Sequence, residues 1–247
     1  MPSLRKKYGI VILMDALGAR QYSEDKIKRF LQARSRLNSM LAHQASSLKS
    51  ANRAIPPPKP VTFTFGDTLV VVCELRVTKY RAAQIYAMLM LMQNYLFHSM
   101  EEGIVFRGAF SIGTYIDDAA SNTVMGEALI DAASWYEKSD WFGLASTPRT
   151  NSVLELLFYE AKSFLVDPMF VIQYPVPMKD GRAIDLYTVS WAGRFFHNKT
   201  KHPEKTFIDA IQKLPVPLGT ESKHINSKKY FYEVAHLLEA KKSDASK

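Results

Sequence analysis

The chain has 247 residues, 47% of them apolar, with a net charge of +8 and a single cysteine, Cys73. This is enough apolar material for one large domain with a sizeable core. A lone thiol excludes an internal disulfide and any cysteine-based zinc site, as suits a reducing cytoplasm, and no apolar run is long enough to span a bilayer.

Arg5-Lys6-Lys7 before an apolar run has the outline of a secretory signal. Asp15 closes that run and no small-residue cleavage site follows, so residues 8–15 read as a buried first strand. Ser23 can cap a helix running to Leu48. The prolines of Ala54-Ile55-Pro56-Pro57-Pro58-Lys59-Pro60 force extended backbone. They lead into a hairpin over 61–76, two β-rich runs joined at Gly66-Asp67. Thr78 opens a helix to about Glu102, with Gly103 beyond its end. Its middle, Ala87 to Met92, is apolar on nearly every face and needs cover on several sides, which a second copy of the chain can supply. A strand over 104–115 follows, then a helix from Val124 to Lys138 entered at Gly126. Trp141 to Ser146 reads as a strand and Asn151 to Lys162 as a helix. Met169 to Tyr174 and Ala183 to Ser190 read as strands joined around Lys179-Asp180-Gly181. A C-terminal helix begins at Ser222 or Asn226 and fades at Lys241-Lys242-Ser243. The order β-α-β-β-α-β-α-β with a central hairpin predicts an α+β fold, helices packed on a mixed or antiparallel sheet. The expected division is a domain over 1–195 and a helical extension over 196–247 whose last residues are disordered.

The chemistry concentrates in two aspartates. Gly9-Ile10-Val11-Ile12-Leu13-Met14-Asp15-Ala16-Leu17-Gly18-Ala19 is an apolar run ending in an acid and a glycine turn, and Thr64-Phe65-Gly66-Asp67-Thr68 puts a second acid at a hairpin tip. A buried strand ending in one carboxylate and a hairpin carrying another can set anionic oxygens side by side. Such groups repel unless a cation lies between them, and Mg²⁺ on a nucleotide phosphate is the common occupant.

Asp15-Ala16-Leu17-Gly18-Ala19, Phe65-Gly66-Asp67, Phe106-Arg107-Gly108-Ala109-Phe110-Ser111-Ile112-Gly113 and Val124-Met125-Gly126-Glu127-Ala128-Leu129 stand in this order. Together they resemble the class III nucleotidyl cyclase catalytic domain over roughly residues 8–146. The resemblance implies a ferredoxin-like βαββαβ core and a homodimer with two composite sites. It implies two Mg²⁺ or Mn²⁺ ions per site on Asp15, Asp67 and the Ala16 carbonyl. Phosphate oxygens would lie against the backbone of Leu17, Gly18 and Ala19, beside Gly66. The base-reading positions of the family correspond to Phe63 and Thr123.

The departures are specific. Purine cyclases of this family carry an Asn four residues and an Arg eight residues after the glycine matching Gly126; here Ile130 and Ser134 stand there, with Asp131 and Trp135 beside them. Arg20, Arg107 and Arg149 are the candidates for the missing positive charge. Phe63 and Thr123 cannot reproduce a purine-reading pair, and a bulky Phe63 in the pocket favours a smaller base. In this the chain resembles the stand-alone bacterial pyrimidine cyclases of the Pycsar anti-phage systems. That resemblance implies conversion of UTP or CTP to the 3′,5′-cyclic monophosphate and a separate effector that the product activates. The alternatives are a nucleotide-binding or scaffold protein without turnover, and a palm-type polymerase.

The basic excess sits in Arg5 to Lys7, Lys199 to Lys205, Lys228-Lys229 and Lys241-Lys242 and reads as solvated faces. No basic helix interleaved with aromatics marks a nucleic-acid site. The six histidines show no paired metal spacing, and Asn198-Lys199-Thr200 fits the glycosylation pattern. P-loop, dinucleotide and nucleophile-elbow motifs are absent.

Overall fold

Strict alternation in the first strand, β1 (Lys7–Ala16), assigns the two faces of the sheet. Ile10, Ile12 and Met14 enter the large core, whereas Val11 and Leu13 enter a small second one, as the period of two in a pleated strand requires. The computed structural model describes residues 5–19, 22–48, 56–160, 167–197, 201–214, 216 and 219–245.

After β1 come α1 (Glu24–Ser47), β2 (Val61–Phe65), β3 (Thr68–Glu74), α2 (Arg81–Glu101), β4 (Phe106–Asp118) and β5 (Thr123–Met125). They are followed by α3 (Glu127–Trp135), β6 (Gly143–Ser146), α4 (Pro148–Glu160), β7 (Val171–Pro177), β8 (Ala183–Val189), α5 (Pro203–Gln212) and α6 (Glu221–Ala245). The sheet runs β2-β3-β1-β4-β6-β8-β7, with β5 paired to β4. Its neighbours are antiparallel except for β4 and β6, which are parallel. β1 to β4 with α1 and α2 make a βαββαβ unit in which β1 lies between β3 and β4. The fold is therefore α+β on a mixed, mainly antiparallel sheet, as the element order predicts.

Ser23 caps α1 by accepting from the Lys26 N–H, and Glu24 and Asp25 complement the dipole of the first turn. On the second face α3 lies across β1 and β4, with Ala128 and Ala132 packed among Val11, Leu13, Phe63 and Tyr115. Gly126 makes this approach possible: at φ +124° it sits so close to β4 that a Cβ would lie 2.7 Å from the Tyr115 Cα.

Several expectations change. The Thr78 region forms a short 3-10 turn, so α2 starts at Arg81 without a side-chain cap. α2 is covered within the chain, by α1, α4, α5 and the 3-10 turn Ala192–Phe196, and it needs no second copy for that. Residues 123–125 form a strand, because Val124 pairs with Asp117 in the ladder to β4, and α3 ends at Trp135 rather than at Lys138. Helix α5 is an addition, and α6 starts at Glu221 and continues to Ala245 instead of fading at Lys241. Both C-terminal helices join the large core, through Phe207, Ile211, Tyr230, Phe231 and Val234. Among the described residues no helix is long and apolar enough to cross a membrane. Lys162, residues 198–200, residues 54–55 and Arg20 lie outside the described residues.

Candidate metal and nucleotide site

Asp15 occupies the last turn of the β1 ladder, opposite Thr68 of β3 on one side and Arg107 of β4 on the other. It keeps the phase of Val11 and Leu13, so its side chain emerges on the face that α3 covers. Arg107 shares that face. Its Nη2 lies 3.1 Å from Asp15 Oδ2, and its Nη1 donates to the Glu137 carbonyl at 3.2 Å. Both side chains are largely withdrawn from water, at 16% exposure for Asp15 and 6% for Arg107. Burial pushes the Asp15 carboxyl above its ordinary range. The Arg107 guanidinium pulls it back, and the charges of Glu137 and Asp67 push it up again.

Asp67 arrives from a different segment and is held beside this point by backbone. Gly66 takes φ +60° at the two-residue tip of the β2–β3 hairpin, a conformation glycine adopts without Cβ strain. The Ala16 N–H donates to the Asp67 carbonyl at 3.2 Å, which fastens the tip to the end of β1. Arg34 of α1 donates to the Gly66 carbonyl from the other side. The sequence-derived pair of acids, Asp15 and Asp67, is thus brought together with Ala16 and Gly66.

The expected phosphate cradle is smaller than the sequence implies. The Leu17 N–H is committed to the Val105 carbonyl at 2.9 Å, and Leu17 is buried, so only Gly18, at φ +77°, and Ala19 can contribute backbone N–H groups. A cleft of about 320 Å³ opens at this end, lined by Ala19, Tyr22, Phe30, Gly66 and Asp67 with Ile27 and Leu31. A larger cleft of about 680 Å³ shares Tyr22 and Phe30 but contains neither aspartate. The Tyr22 phenol is pushed up by burial and by the Asp67 charge.

Phe63 is a correction. It is 1% exposed and packs in the small core with Val70, Val72 and Val124, because its strand phase turns it under the β4–β5 ribbon rather than toward an open pocket. Thr123 hydrogen-bonds with Ser121. The adjacent Asn122 donates to the Thr64 carbonyl at 3.2 Å, which brings the segments of Phe63 and Thr123, the positions expected to read the base, side by side. Ile130 is 69% exposed on the outer side of α3, and Ser134 donates to the Asp131 carbonyl of its own helix. Asp131 instead faces inward, accepting from Ser111 and Thr147 at 2.6 Å each. Arg149 is exposed beside Glu127. Of the arginines proposed to supply positive charge, Arg107 alone among the described residues pairs with Asp15.

Sequence reasoning missed the Glu137 carbonyl, Arg34, Tyr22 and Lys179. Desolvation and the Arg107 charge hold the Lys179 ammonium below its ordinary value, against the pull of Glu137 and Asp15. One signal was readable: a guanidinium in the largely apolar first half of β4, Phe106 to Phe110, requires a buried partner.

The donor set suits a hard divalent cation. Two carboxylates and a backbone carbonyl are what Mg²⁺ accepts when substrate phosphates and waters supply the remaining ligands. Among the described residues no group of three or more His, Cys, Asp or Glu side chains is placed to hold a metal.

No family model and no curated protein matches the sequence. Among solved structures the chain is similar to the adenylyl cyclase CyaB from P. aeruginosa, with TM-score 0.48 and 13% identity over 76% of this chain and 95% of that one. It is similar to the adenylate/guanylate cyclase/hydrolase from Silicibacter pomeroyi, with TM-score 0.47 and 14% identity over 76% and 98%. A third is the guanylyl cyclase domain of the RhoGC fusion protein from the aquatic fungus Blastocladiella emersonii, with TM-score 0.45 and 10% identity over 75% and 97%. At TM-scores below 0.5 these are likenesses of overall shape, and nothing about activity follows from them.

Proposed function

We propose that the chain is a divalent-metal-dependent nucleotide cyclase, closing a nucleoside triphosphate to its 3′,5′-cyclic monophosphate with release of pyrophosphate. The observation that carries this reading is the hydrogen bond from the Ala16 N–H to the Asp67 carbonyl. It ties the hairpin tip that carries Asp67 to the strand end that carries Asp15, and Asp67 lines an open cleft.

Asp15, Asp67 and the Ala16 carbonyl would hold Mg²⁺ or Mn²⁺, two ions per site. Such ions supply Lewis acidity toward the 3′-hydroxyl and neutralise the triphosphate. Arg107 aims the Asp15 carboxylate and opposes the desolvation that pushes its carboxyl above the ordinary range. Gly18 and Ala19 present backbone N–H groups to phosphate oxygens.

The finer reading is a cyclase of UTP or CTP whose product activates a separate effector in anti-phage defence. It is supported by the lack of a purine-reading pair at Phe63 and Thr123, and burial of Phe63 removes the argument that its bulk selects a smaller base. Assembly as a homodimer is supported by apolar side chains left exposed on the hairpin, β5 and α3, Phe65 at 48%, Met125 at 53% and Ile130 at 69%. A second reading, a nucleotide-binding protein without turnover, is favoured by Ile130 and Ser134 standing where an amide and a cation are expected.

Incubation of the purified chain with each of the four NTPs and Mn²⁺, with products identified by mass spectrometry, separates the readings. A cyclic mononucleotide from UTP or CTP supports the proposal in full, and one from ATP or GTP supports only its coarser form. Linear oligonucleotides point to a polymerase. Binding without product favours the second reading.

A further inference from the structure

A continuous line of polar contacts runs from Asp15 to the C-terminal helix. Arg107 is held at its far end by the Glu137 carbonyl, and Glu137 opens the turn 137–140. The β7–β8 hairpin fixes the backbone of that turn: the Asp140 N–H donates to the Pro177 carbonyl at 2.7 Å, and the Lys179 N–H donates to the Lys138 carbonyl at 2.9 Å. Helix α6 fixes it from the other side. Lys223 Nζ lies 3.1 Å from Asp140 Oδ1, and Asn226 Nδ2 donates to the Asp140 carbonyl at 2.8 Å.

Lys223 is only 8% exposed. Docking of α6 does not require a buried ammonium there, since Tyr230, Phe231 and Val234 already seat the helix in the large core. An apolar residue would spare the desolvation that a buried ion pair incurs. We propose that Lys223 is a positioning residue for the Asp15 centre. It fixes Asp140, through the turn it fixes the Glu137 carbonyl, and through that carbonyl the guanidinium that aims the Asp15 carboxylate. The inference rests on the cyclase reading only in taking Asp15 as a metal ligand. It makes α6, which lies outside the βαββαβ unit, part of the framework of the site. Partners that orient a metal ligand from behind are worth about tenfold to a hundredfold in affinity, and at this remove the lower figure applies.

The test is Mn²⁺ binding to the full chain, followed by electron paramagnetic resonance without nucleotide. It compares wild type, Lys223→Met, Lys223→Arg, Asn226→Ala and Val234→Ala. Val234 is buried on the same helix and belongs to the large core, so its truncation loosens α6 without touching Asp140. Lys223→Met is expected to weaken Mn²⁺ about tenfold, with Lys223→Arg recovering most of the loss. Asn226→Ala, which leaves no unpaired charge and spares the fold, shifts affinity in the same direction. Val234→Ala lowers Tm and leaves Mn²⁺ affinity near wild type. The proposal is overturned if Lys223→Met and Asn226→Ala bind Mn²⁺ like wild type, or if Val234→Ala weakens binding as much at an equal loss of Tm. Wild type that binds no Mn²⁺ either alone or with a nucleoside triphosphate present overturns the metal reading of Asp15 and Asp67 and this inference with it.

Discussion

Arg107→Met removes the guanidinium beside Asp15 while keeping much of the aliphatic volume in β4. At 6% and 16% exposure the two side chains form a desolvated pair. Deleting one partner of such a pair costs about 3–5 kcal/mol, because the other is left as an uncompensated charge. Residual exposure of Asp15 puts this case at the lower end, about 3 kcal/mol. For a chain of this size each kcal/mol moves Tm by about 2–4 °C, so a fall of roughly 6–12 °C is expected at pH 8. The pH dependence carries the sign. Burial already holds the Asp15 carboxyl above its ordinary value with Arg107 as the chief opposing influence, so the variant raises it further. A carboxyl with a raised folded pKa contributes stability that is fully present below its unfolded pKa and lost as pH rises through the folded one. The Tm deficit of Arg107→Met is therefore greatest at pH 8 and shrinks toward pH 5. Asp15→Asn in the same background recovers most of the loss at pH 8. Scanning calorimetry of the two single variants, the double variant and wild type at three pH values measures all of this. An unchanged Tm at pH 8, or a deficit that grows as pH falls, refutes the reasoning.

Asp67→Asn removes the charge of a proposed metal ligand from a hairpin tip and, on the cyclase reading, should lower turnover by roughly 10³-fold or more with an unchanged circular-dichroism spectrum; near-wild-type product formation would eliminate the two-metal proposal. Phe63→Ala empties a site in the small core and should cost about 3–5 kcal/mol, slowing all nucleotides alike. A changed ratio of kcat/KM between UTP and ATP without a loss of Tm would return Phe63 to the pocket. Ile130→Asp places a charge on the exposed side of α3 and should convert a dimer to monomer in light scattering without lowering monomer Tm; an unaltered dimer would put the interface elsewhere.

The sheet and its two acids were legible because each depends on local pattern. The apolar run of β1 and the Gly66-Asp67 tip both announce their geometry within a few residues. The element order then confines the topology, since a hairpin between two helices must lie beside the first strand. What was not legible depends on partners remote in sequence. Phe63 alternates correctly for either face, and only Tyr115 and Val124, brought over by the β4–β5 ribbon, decide that it is sealed. The Leu17 N–H offers itself to phosphate until Val105 is seen to accept from it. Helix α2 reads as short of cover because the segments that supply it, Ala192–Phe196 and α5, lie about a hundred residues away. Arg107 was visible as a misplaced charge, but not its bond to a backbone carbonyl of residue 137.

That bond also sets the charge balance of the site. Two bare acids would carry a formal charge of −2 and attract a divalent ion strongly. With Arg107 fixed against Asp15 the trio sums to −1, so one of the acids is already answered before any ion arrives. Freeing Asp15 for a cation means sharing its oxygens with a guanidinium that cannot withdraw far, because its other end is tied to the 137–140 turn. A cation alone therefore meets one accessible acid and one shared one. A cation that comes with a triphosphate brings further oxygen ligands of its own, which is the way Mg²⁺ is ordinarily completed. Metal and nucleotide should for this reason bind cooperatively, with the coupling set by how firmly α6 and the β7–β8 hairpin hold the turn behind Arg107.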